Sequence, residues 1–236
     1  MGRLRLRFLL SLVAVLLAAS VVVACGGEDD DEPTGAIAEP GATGEGGPPP
    51  AECEEVATPE AKEVDLKAPK QKVKRGALMT ATVSTSCGDF SFVLDTETSP
   101  KTVSSFVHLA EEGVYDGTAI HRIVPGFVFQ GGDPEGTGMG GPGYSVAEEP
   151  PFDAAYTRGI VAMAKTGAEP PGTAGSQFFV VTAADAGLPP DYAILGSVTG
   201  GEDVMDRIEA MADPELGPEG GRPVRPVVIQ RVEIEP

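Results

Sequence analysis

The apolar residues beyond position 76 fall into many short runs separated by Gly, Pro, Asp and Ser. Two of these runs, at 77–85 and 90–95, flank Cys87-Gly88-Asp89, a segment typical of a hairpin turn. Six further runs have the length and composition of strands, and they lie at 119–124, 127–130, 159–165, 177–182, 193–198 and 227–234. The body of the chain is therefore predicted to contain eight short strands.

Two segments have helical spacing instead. Ser99-Pro100 places a capping residue before a proline in the first helical position, and apolar residues then recur at helical intervals until Gly113. A second helix is expected at 202–211, after a Gly-Gly turn. Many short strands with only two helices favour a mainly β fold, a closed antiparallel barrel with its ends covered, because closure removes exposed strand edges.

Residues 1–24 have the composition of an export signal. Arginines at positions 3, 5 and 7 precede an apolar run at 8–23, which is shorter than the roughly 20 residues that span a bilayer. The alternative is a single spanning helix. The residues up to Ala24-Cys25 also resemble the bacterial lipobox, in which the cysteine becomes the N-terminus and carries acyl chains such as palmitate. A chance cysteine beside ordinary signal cleavage is the alternative explanation.

The segment 25–76 is rich in Gly, Pro, Glu and Asp and has few apolar residues. It is predicted to be a disordered acidic linker between the lipidated Cys25 and the folded domain at 77–236. The formal net charge of the chain is −19. Such a charge argues against nucleic-acid binding and against contact with anionic lipid, so the membrane would be reached only through the lipid anchor.

Three cysteines and two histidines leave little room for metal or nucleophilic chemistry. Cys87 is a conceivable nucleophile, with His108 or His121 as its base. The favoured alternative in an exported chain is a disulfide between Cys53 and Cys87, because lipidation consumes Cys25 and leaves an even number of cysteines. No metal site and no cofactor are predicted.

The glycine-rich segment 136–141 fits the spacing of a dinucleotide-binding fingerprint. Its context does not, because Pro142-Gly143 follows where a helix should begin. A glycine-rich turn is therefore the better interpretation.

Two other blocks combine polar and aromatic residues. In the block 121–133, Arg122 lies on one face of a strand, and a Pro-Gly turn brings Phe127 and Gln130 towards the same concavity. The second block, 163–179, adds a further amide and a further aromatic ring. Together these groups suit a site that reads a peptide backbone and a compact apolar side chain. Core aromatics beside a surface arginine explain the pattern equally well.

The two blocks resemble the signature of the cyclophilin family of peptidyl-prolyl cis-trans isomerases, and the resemblance runs from about residue 77 to 234. It implies an eight-stranded barrel capped by two helices. By position, Arg122 corresponds to the catalytic arginine, and Phe127 and Gln130 complete the set of three catalytic residues that the resemblance implies. The resemblance also implies a set of substrate-binding residues, in a pocket for the proline ring and a groove for the residues before it: His121, Val128, Ala164, Lys165, Thr166, Gln177, Phe179, Leu188 and Tyr192.

The implied activity is isomerisation of Xaa-Pro bonds in exported proteins by a monomer at the extracytoplasmic face of the cell membrane. Val128, Lys165 and Tyr192 stand where methionine, asparagine and histidine are common in the family. Gly187 replaces the large ring that contacts cyclosporin, so weak cyclosporin binding is expected. Two other functions stay open, a non-catalytic module that binds proline-containing peptides and a general chaperone for secreted chains.

Overall fold

The computed structural model describes residues 52–236. The expected export signal at 1–24 and the lipidation site at Cys25 lie outside the described residues. Two helices are present in the described part, α1 (Pro100–Glu111) and α2 (Glu202–Glu209), and Pro214–Glu219 forms a 3-10 helix. The strands in chain order are β1 (Thr80–Thr85), β2 (Gly88–Leu94), β3 (Thr118–Ala119), β4 (Arg122–Val124), β5 (Val128–Gly131), β6 (Val146–Ala147), β7 (Ile160–Met163), β8 (Thr173–Ala174), β9 (Phe178–Val181), β10 (Ile194–Gly200) and β11 (Val228–Glu235).

Nine of these strands form one antiparallel sheet in the order β3-β11-β1-β2-β10-β7-β9-β5-β4, and β6 pairs separately with β8. The sheet is an open half-barrel of nine strands, so the closed eight-stranded barrel predicted from the sequence is wrong. The mainly β character and the two helices agree with the prediction. The predicted hairpin is also present, because β1 pairs with β2 from Thr85 opposite Gly88 onward.

The difference in strand number arises at Ile120 and His121, within the run predicted as one strand. The amide of Ile120 donates to the carbonyl of Val227 at 2.8 Å, on the β11 side of the sheet. The amide of His121 donates instead to the carbonyl of Gln130 at 3.1 Å, on the β5 side. The run therefore divides into β3 and β4, which are the two ends of the sheet and share no continuous ladder.

An aromatic core fills the inner face of the sheet. Phe90 and Phe92 of β2 alternate with less buried neighbours, as expected for a strand with one buried face. The ring of Phe106 from α1 lies 5.8 Å from that of Phe92 and 6.2 Å from that of Phe178. Each such side chain contributes about 1.5–3 kcal/mol by leaving water, so α1 is fixed against the inner face of the sheet.

A second apolar cluster lies on the opposite face, along β5, β7 and β9. It is built from Val128, Tyr156, Ala162, Phe179 and Val181, which are all buried. Strand alternation separates this cluster from the core, since the neighbouring residues Phe129 on β5 and Phe178 and Val180 on β9 belong to the aromatic core. The outer cluster is the floor on which the candidate site is built.

Residues 52–76, here called the strap, contain no helix or strand but lie against the folded body. Cys53 and Cys87 form a disulfide bond, the pairing that the cysteine count favoured. Val64, Leu66 and Val73 pack against the core. The strap therefore differs from the disordered linker expected up to residue 76, because these apolar side chains and the disulfide offset the entropy cost of ordering it. No helix within residues 52–236 is long and apolar enough to cross a bilayer.

Replacing both cysteines (Cys53→Ser with Cys87→Ser) is expected to lower the free energy of unfolding by about 3–4 kcal/mol. The bond spans 34 residues, and a closed loop of that length restricts the unfolded chain. Urea unfolding of the double variant and of the unmodified chain, each with and without reductant, measures the difference. Reductant should destabilise only the unmodified chain, and equal midpoints for the two oxidised samples would contradict the prediction.

Candidate functional site

A pocket of about 150 Å³ opens on the outer face of the sheet and is called the Arg122 pocket below. Its lining contains all three residues predicted as catalytic and most of those predicted to bind substrate: Arg122, Phe127, Val128, Gln130, Ala164, Lys165, Phe179, Leu188 and Tyr192. The structure thus brings together residues that are far apart in the chain, since Arg122 and Tyr192 are separated by 70 positions.

Sheet register places the polar and aromatic groups of this pocket side by side. Arg122 on β4 is directly opposite Gln130 on β5, Gln130 is opposite Phe179 on β9, and Phe179 is opposite Ala162 on β7. Directly paired residues share a face, with Cβ atoms about 4.5–5.5 Å apart. A guanidinium, an amide and an aromatic ring therefore stand in one row, next to a small residue that leaves room above it.

Aromatic contacts form the apolar wall. The Phe179 and Tyr192 rings lie 5.4 Å apart at 88°, and the Tyr156 and Tyr192 rings lie 5.9 Å apart at 89°. Edge-to-face pairs of this kind are favourable beyond their area of burial. Together with Val128 and Leu188 they give the pocket a rigid apolar lining that suits a compact aliphatic ring.

Tyr156 holds the backbone of Tyr192 in place. The Tyr156 hydroxyl donates to the carbonyl of Tyr192 at 2.6 Å and accepts from the amide of the same residue at 3.0 Å. Burial raises the pKa of Tyr156, so the hydroxyl stays protonated and continues to donate at neutral pH. Sequence reasoning missed this residue, because no motif surrounds it and its partner is 36 positions away.

A chain of amides orders the polar side. Gln130 Nε2 donates to Gln177 Oε1 at 2.9 Å, and Gln177 Nε2 donates to the carbonyl of Gly140 at 2.9 Å. The glycine-rich loop therefore holds the Gln177 amide in place, and through it the Gln130 amide. Gln177 positions Gln130, and Gln130 faces Arg122 across the strand pair.

The loop that carries Gly140 is itself held by a buried carboxylate, Asp133. Its side chain accepts from the amides of Glu135, Gly138 and Gly140. Burial alone would raise the pKa of Asp133, but these three donors reverse the effect and the pKa is lowered overall. The amides of the glycine-rich segment thus bind a carboxylate of their own chain, which agrees with a turn.

Lys165 closes one side of the pocket through an ion pair. Its side chain is only 4% exposed, with Nζ 2.6 Å from Asp191 Oδ2 and 3.1 Å from the carbonyl of Glu169. The same ammonium lies 5.4 Å from the centre of the Tyr192 ring. Because the charge is paired and covered, Lys165 acts as a fixed wall rather than as a mobile cation.

A larger cavity of about 440 Å³, called the outer groove, adjoins the pocket and shares Gln130, Ala164 and Lys165 with it. Three residues predicted to bind substrate do not line the Arg122 pocket. Thr166 and Gln177 line the outer groove and not the pocket. His121 lines a different cavity, and burial, partly opposed by the charge of Asp133, lowers its pKa.

No cluster of three or more metal-binding side chains occurs within the described range 52–236. The arrangement at the Arg122 pocket supplies a charged hydrogen-bond donor, an ordered amide and an apolar cup. Such a set can hold a peptide and stabilise a change in its conformation, and the pocket lining contains no serine, threonine or cysteine.

Comparisons with known proteins agree with this chemistry. The model of the family "Cyclophilin type peptidyl-prolyl cis-trans isomerase/CLD" matches residues 80–234. Peptidyl-prolyl cis-trans isomerase B of Streptomyces anulatus is 40% identical over 173 residues, which are 66% of this chain and 95% of the relative. Peptidyl-prolyl cis-trans isomerase A of Mycobacterium tuberculosis is 37% identical over 177 residues, with 67% and 93% covered.

The match to peptidyl-prolyl cis-trans isomerase-like 2 of Cryptococcus neoformans is 39% identical over 171 residues, but the chain spans only 29% of that relative. Among solved structures, a cyclophilin type peptidyl-prolyl cis-trans isomerase of Cryptosporidium parvum superimposes with a TM-score of 0.61 at 32% identity, covering 68% of this chain and 99% of that one. The same protein crystallised in the presence of the dipeptide Ala-Pro gives a TM-score of 0.60, at 31% identity and with 66% and 99% covered.

Tyr156→Phe is expected to lower the free energy of unfolding by about 1–2 kcal/mol and to raise KM for a proline-containing peptide. The change leaves the amide and carbonyl of Tyr192 without the hydroxyl that orders them. Urea unfolding and peptide isomerisation rates measure the two effects.

Tyr115→Phe is the matched control, because the buried Tyr115 hydroxyl has no hydrogen-bond partner among residues 52–236. Its removal should leave KM unchanged and the free energy of unfolding unchanged or slightly higher. Equal effects of the two substitutions would contradict the role given to Tyr156.

Proposed function

Because the chain belongs to the cyclophilin family and is a cyclophilin-type peptidyl-prolyl cis-trans isomerase, we propose that the Arg122 pocket is its catalytic centre and that its substrates are Xaa-Pro bonds of exported proteins. The observation that carries the proposal is the row formed by Arg122, Gln130 and Phe179 along one side of a single small pocket. A charged donor and an aromatic ring that line the same small pocket can contact two sides of one prolyl residue.

The reaction rotates an amide and makes or breaks no covalent bond. Its uncatalysed barrier is about 18–20 kcal/mol, because rotation removes amide resonance. In the twisted state the prolyl nitrogen becomes pyramidal and gains a lone pair. An enzyme that binds this state better than the planar one lowers the barrier, and a 10⁵-fold acceleration needs only about 7 kcal/mol.

Each group in the pocket has a role in that scheme. The Arg122 guanidinium donates to the prolyl nitrogen as its lone pair develops, and a preorganised charged donor in a covered site stabilises such charge strongly. Phe127, Val128 and Phe179 pack against the prolyl ring. Gln130, held by Gln177, fixes the peptide backbone while the carbonyl before the proline turns.

Action outside the cytoplasmic membrane is supported by the export signal and the lipobox-like cysteine of the sequence. The Cys53–Cys87 disulfide adds to this support, because such bonds persist in oxidising compartments and are rare in the cytosol. We therefore place the folding of exported chains at the extracytoplasmic face of the membrane, with the enzyme attached through acyl chains on Cys25.

Weak inhibition by cyclosporin belongs to the same proposal. Gly187, next to Leu188 of the pocket wall, has no side chain with which to contact cyclosporin. A Cβ added there would meet no other atom within 4 Å. Gly187→Trp is expected to lower the inhibitory concentration of cyclosporin at least about tenfold, as a buried aromatic ring contributes strongly to binding. Gly187 has a φ of 61°, so Gly187→Ala controls for backbone strain. Equal inhibition of the two variants would contradict the prediction.

Arg122→Ala is expected to lower kcat/KM on a short Xaa-Pro peptide by about 10²-fold or more while the fold persists, because the transition state loses its charged donor. Arg231→Ala is the matched control, since Arg231 lies on β11 outside the pocket and pairs with Glu233 at 3.0 Å. A protease-coupled assay of the isomerisation rate compares the two.

An undiminished rate in Arg122→Ala would refute the catalytic assignment. Peptide binding by the unmodified chain without turnover would favour the non-catalytic binding module. Suppression of aggregation by Arg122→Ala would bring forward the general chaperone.

A further inference from the structure

The strap crosses the folded body next to the outer groove in an extended conformation. Lys62, Val64 and Leu66 are half-buried, and the residues between them are exposed, as in a strand with one face against a surface. The amide of Lys62 donates to the carbonyl of Pro134 at 2.9 Å, and the amide of Leu66 donates to the carbonyl of Pro142 at 2.8 Å. Val64 is therefore held between two backbone anchors.

A glycine and a lysine add to this attachment. A Cβ on Gly143 would lie 3.0 Å from the Asp65 Cα and closer still to its carboxylate, so the strap backbone fits only over a residue without a side chain. Lys62 Nζ donates to the carbonyls of Asp116 and Gly113, the latter at 3.4 Å. These contacts hold the strap on both sides of Val64.

The outer groove has Val64 in its lining. The same lining contains Gln130, Ala164, Lys165 and Gln177, the first three of which also line the Arg122 pocket. The groove retains about 440 Å³ with the strap in place. The strap thus borders the groove and does not fill it.

A peptide whose proline occupies the Arg122 pocket must pass the shared residues to enter the groove. The residue directly before the proline would lie at this junction. The residue two positions before the proline lies about 3.3–3.6 Å farther along an extended chain, and its side chain projects to the opposite side. Val64, in the lining of the groove, is therefore a candidate contact for that side chain.

We propose that Val64 is a specificity-determining residue of this enzyme and favours an apolar side chain two positions before the proline. The inference rests on the proposed function of the Arg122 pocket. The strap lies outside the residues 80–234 that match the family model, so this wall is an addition to the isomerase domain. Val64 supplies an aliphatic side chain to the lining of the groove, and an apolar substrate side chain gains free energy by leaving water against it.

The test compares two peptides, Leu-Ala-Pro-Phe and Gly-Ala-Pro-Phe, as substrates of the full chain. The unmodified enzyme should have the higher kcat/KM on the leucine peptide. Val64→Ala should reduce the leucine-to-glycine ratio of kcat/KM about threefold or more, because aliphatic contacts are lost. Val64→Lys should reduce it further and raise the rate on Glu-Ala-Pro-Phe relative to Lys-Ala-Pro-Phe.

Ala68→Lys is the matched control, because it replaces another neutral strap residue by lysine at an exposed position. It should leave the leucine-to-glycine ratio unchanged. Turnover with an unaltered ratio in both Val64 variants would overturn the role of Val64 and leave the proposed function intact. Absence of turnover by the unmodified chain on every peptide would overturn the proposed function and the role of Val64 with it.

Discussion

The register of β4, β5 and β9 is the constraint on which the site depends. It sets Arg122 opposite Gln130 and Gln130 opposite Phe179, and all three then share the outer face of the sheet. A slip of one residue would turn each of them to the other face. The register is fixed from the inside, because Phe129 and Phe178, which alternate with the site residues, are buried in the aromatic core. Core packing thus determines where the guanidinium lies.

Positioning residues then hold the groups that the register brings together. On the polar side, the carboxylate of Asp133 orders the glycine-rich loop, the loop carbonyl of Gly140 accepts from Gln177, and Gln177 accepts from Gln130. The pKa of Asp133 is lowered in the folded state, so its contribution to stability is present above its unfolded pKa and is lost as the pH falls through the folded one. At neutral pH this support is intact, and a preorganised site needs little rearrangement to stabilise the twisted amide.

The sequence predicted the elements that depend on local pattern. The hairpin and the helix beginning at Pro100 follow from turn residues and from a proline in the first helical position, and the structure contains them. The two blocks were assigned to a peptide site through the family resemblance, because core aromatics beside a surface arginine explained their pattern equally well, and Leu188 and Tyr192 of the pocket lie outside both blocks. Sheet closure was predicted wrongly, because the break at Ile120 depends on which distant strand each amide pairs with. The strap was assigned to the linker from composition, although Val64 and Leu66 alternate with charged residues and could have indicated a half-buried extended segment. Nothing local marks Tyr156, whose partner is distant.

The central claim is that a prolyl ring occupies the cup beside Arg122. Nuclear Overhauser effects between a bound Ala-Pro peptide and the labelled protein test it most directly. The account predicts contacts from the prolyl ring protons to the Phe179 ring and the Val128 methyl groups, both of which line the pocket. Contacts to the cavity lined by His121, with none to Phe179 or Val128, would contradict it.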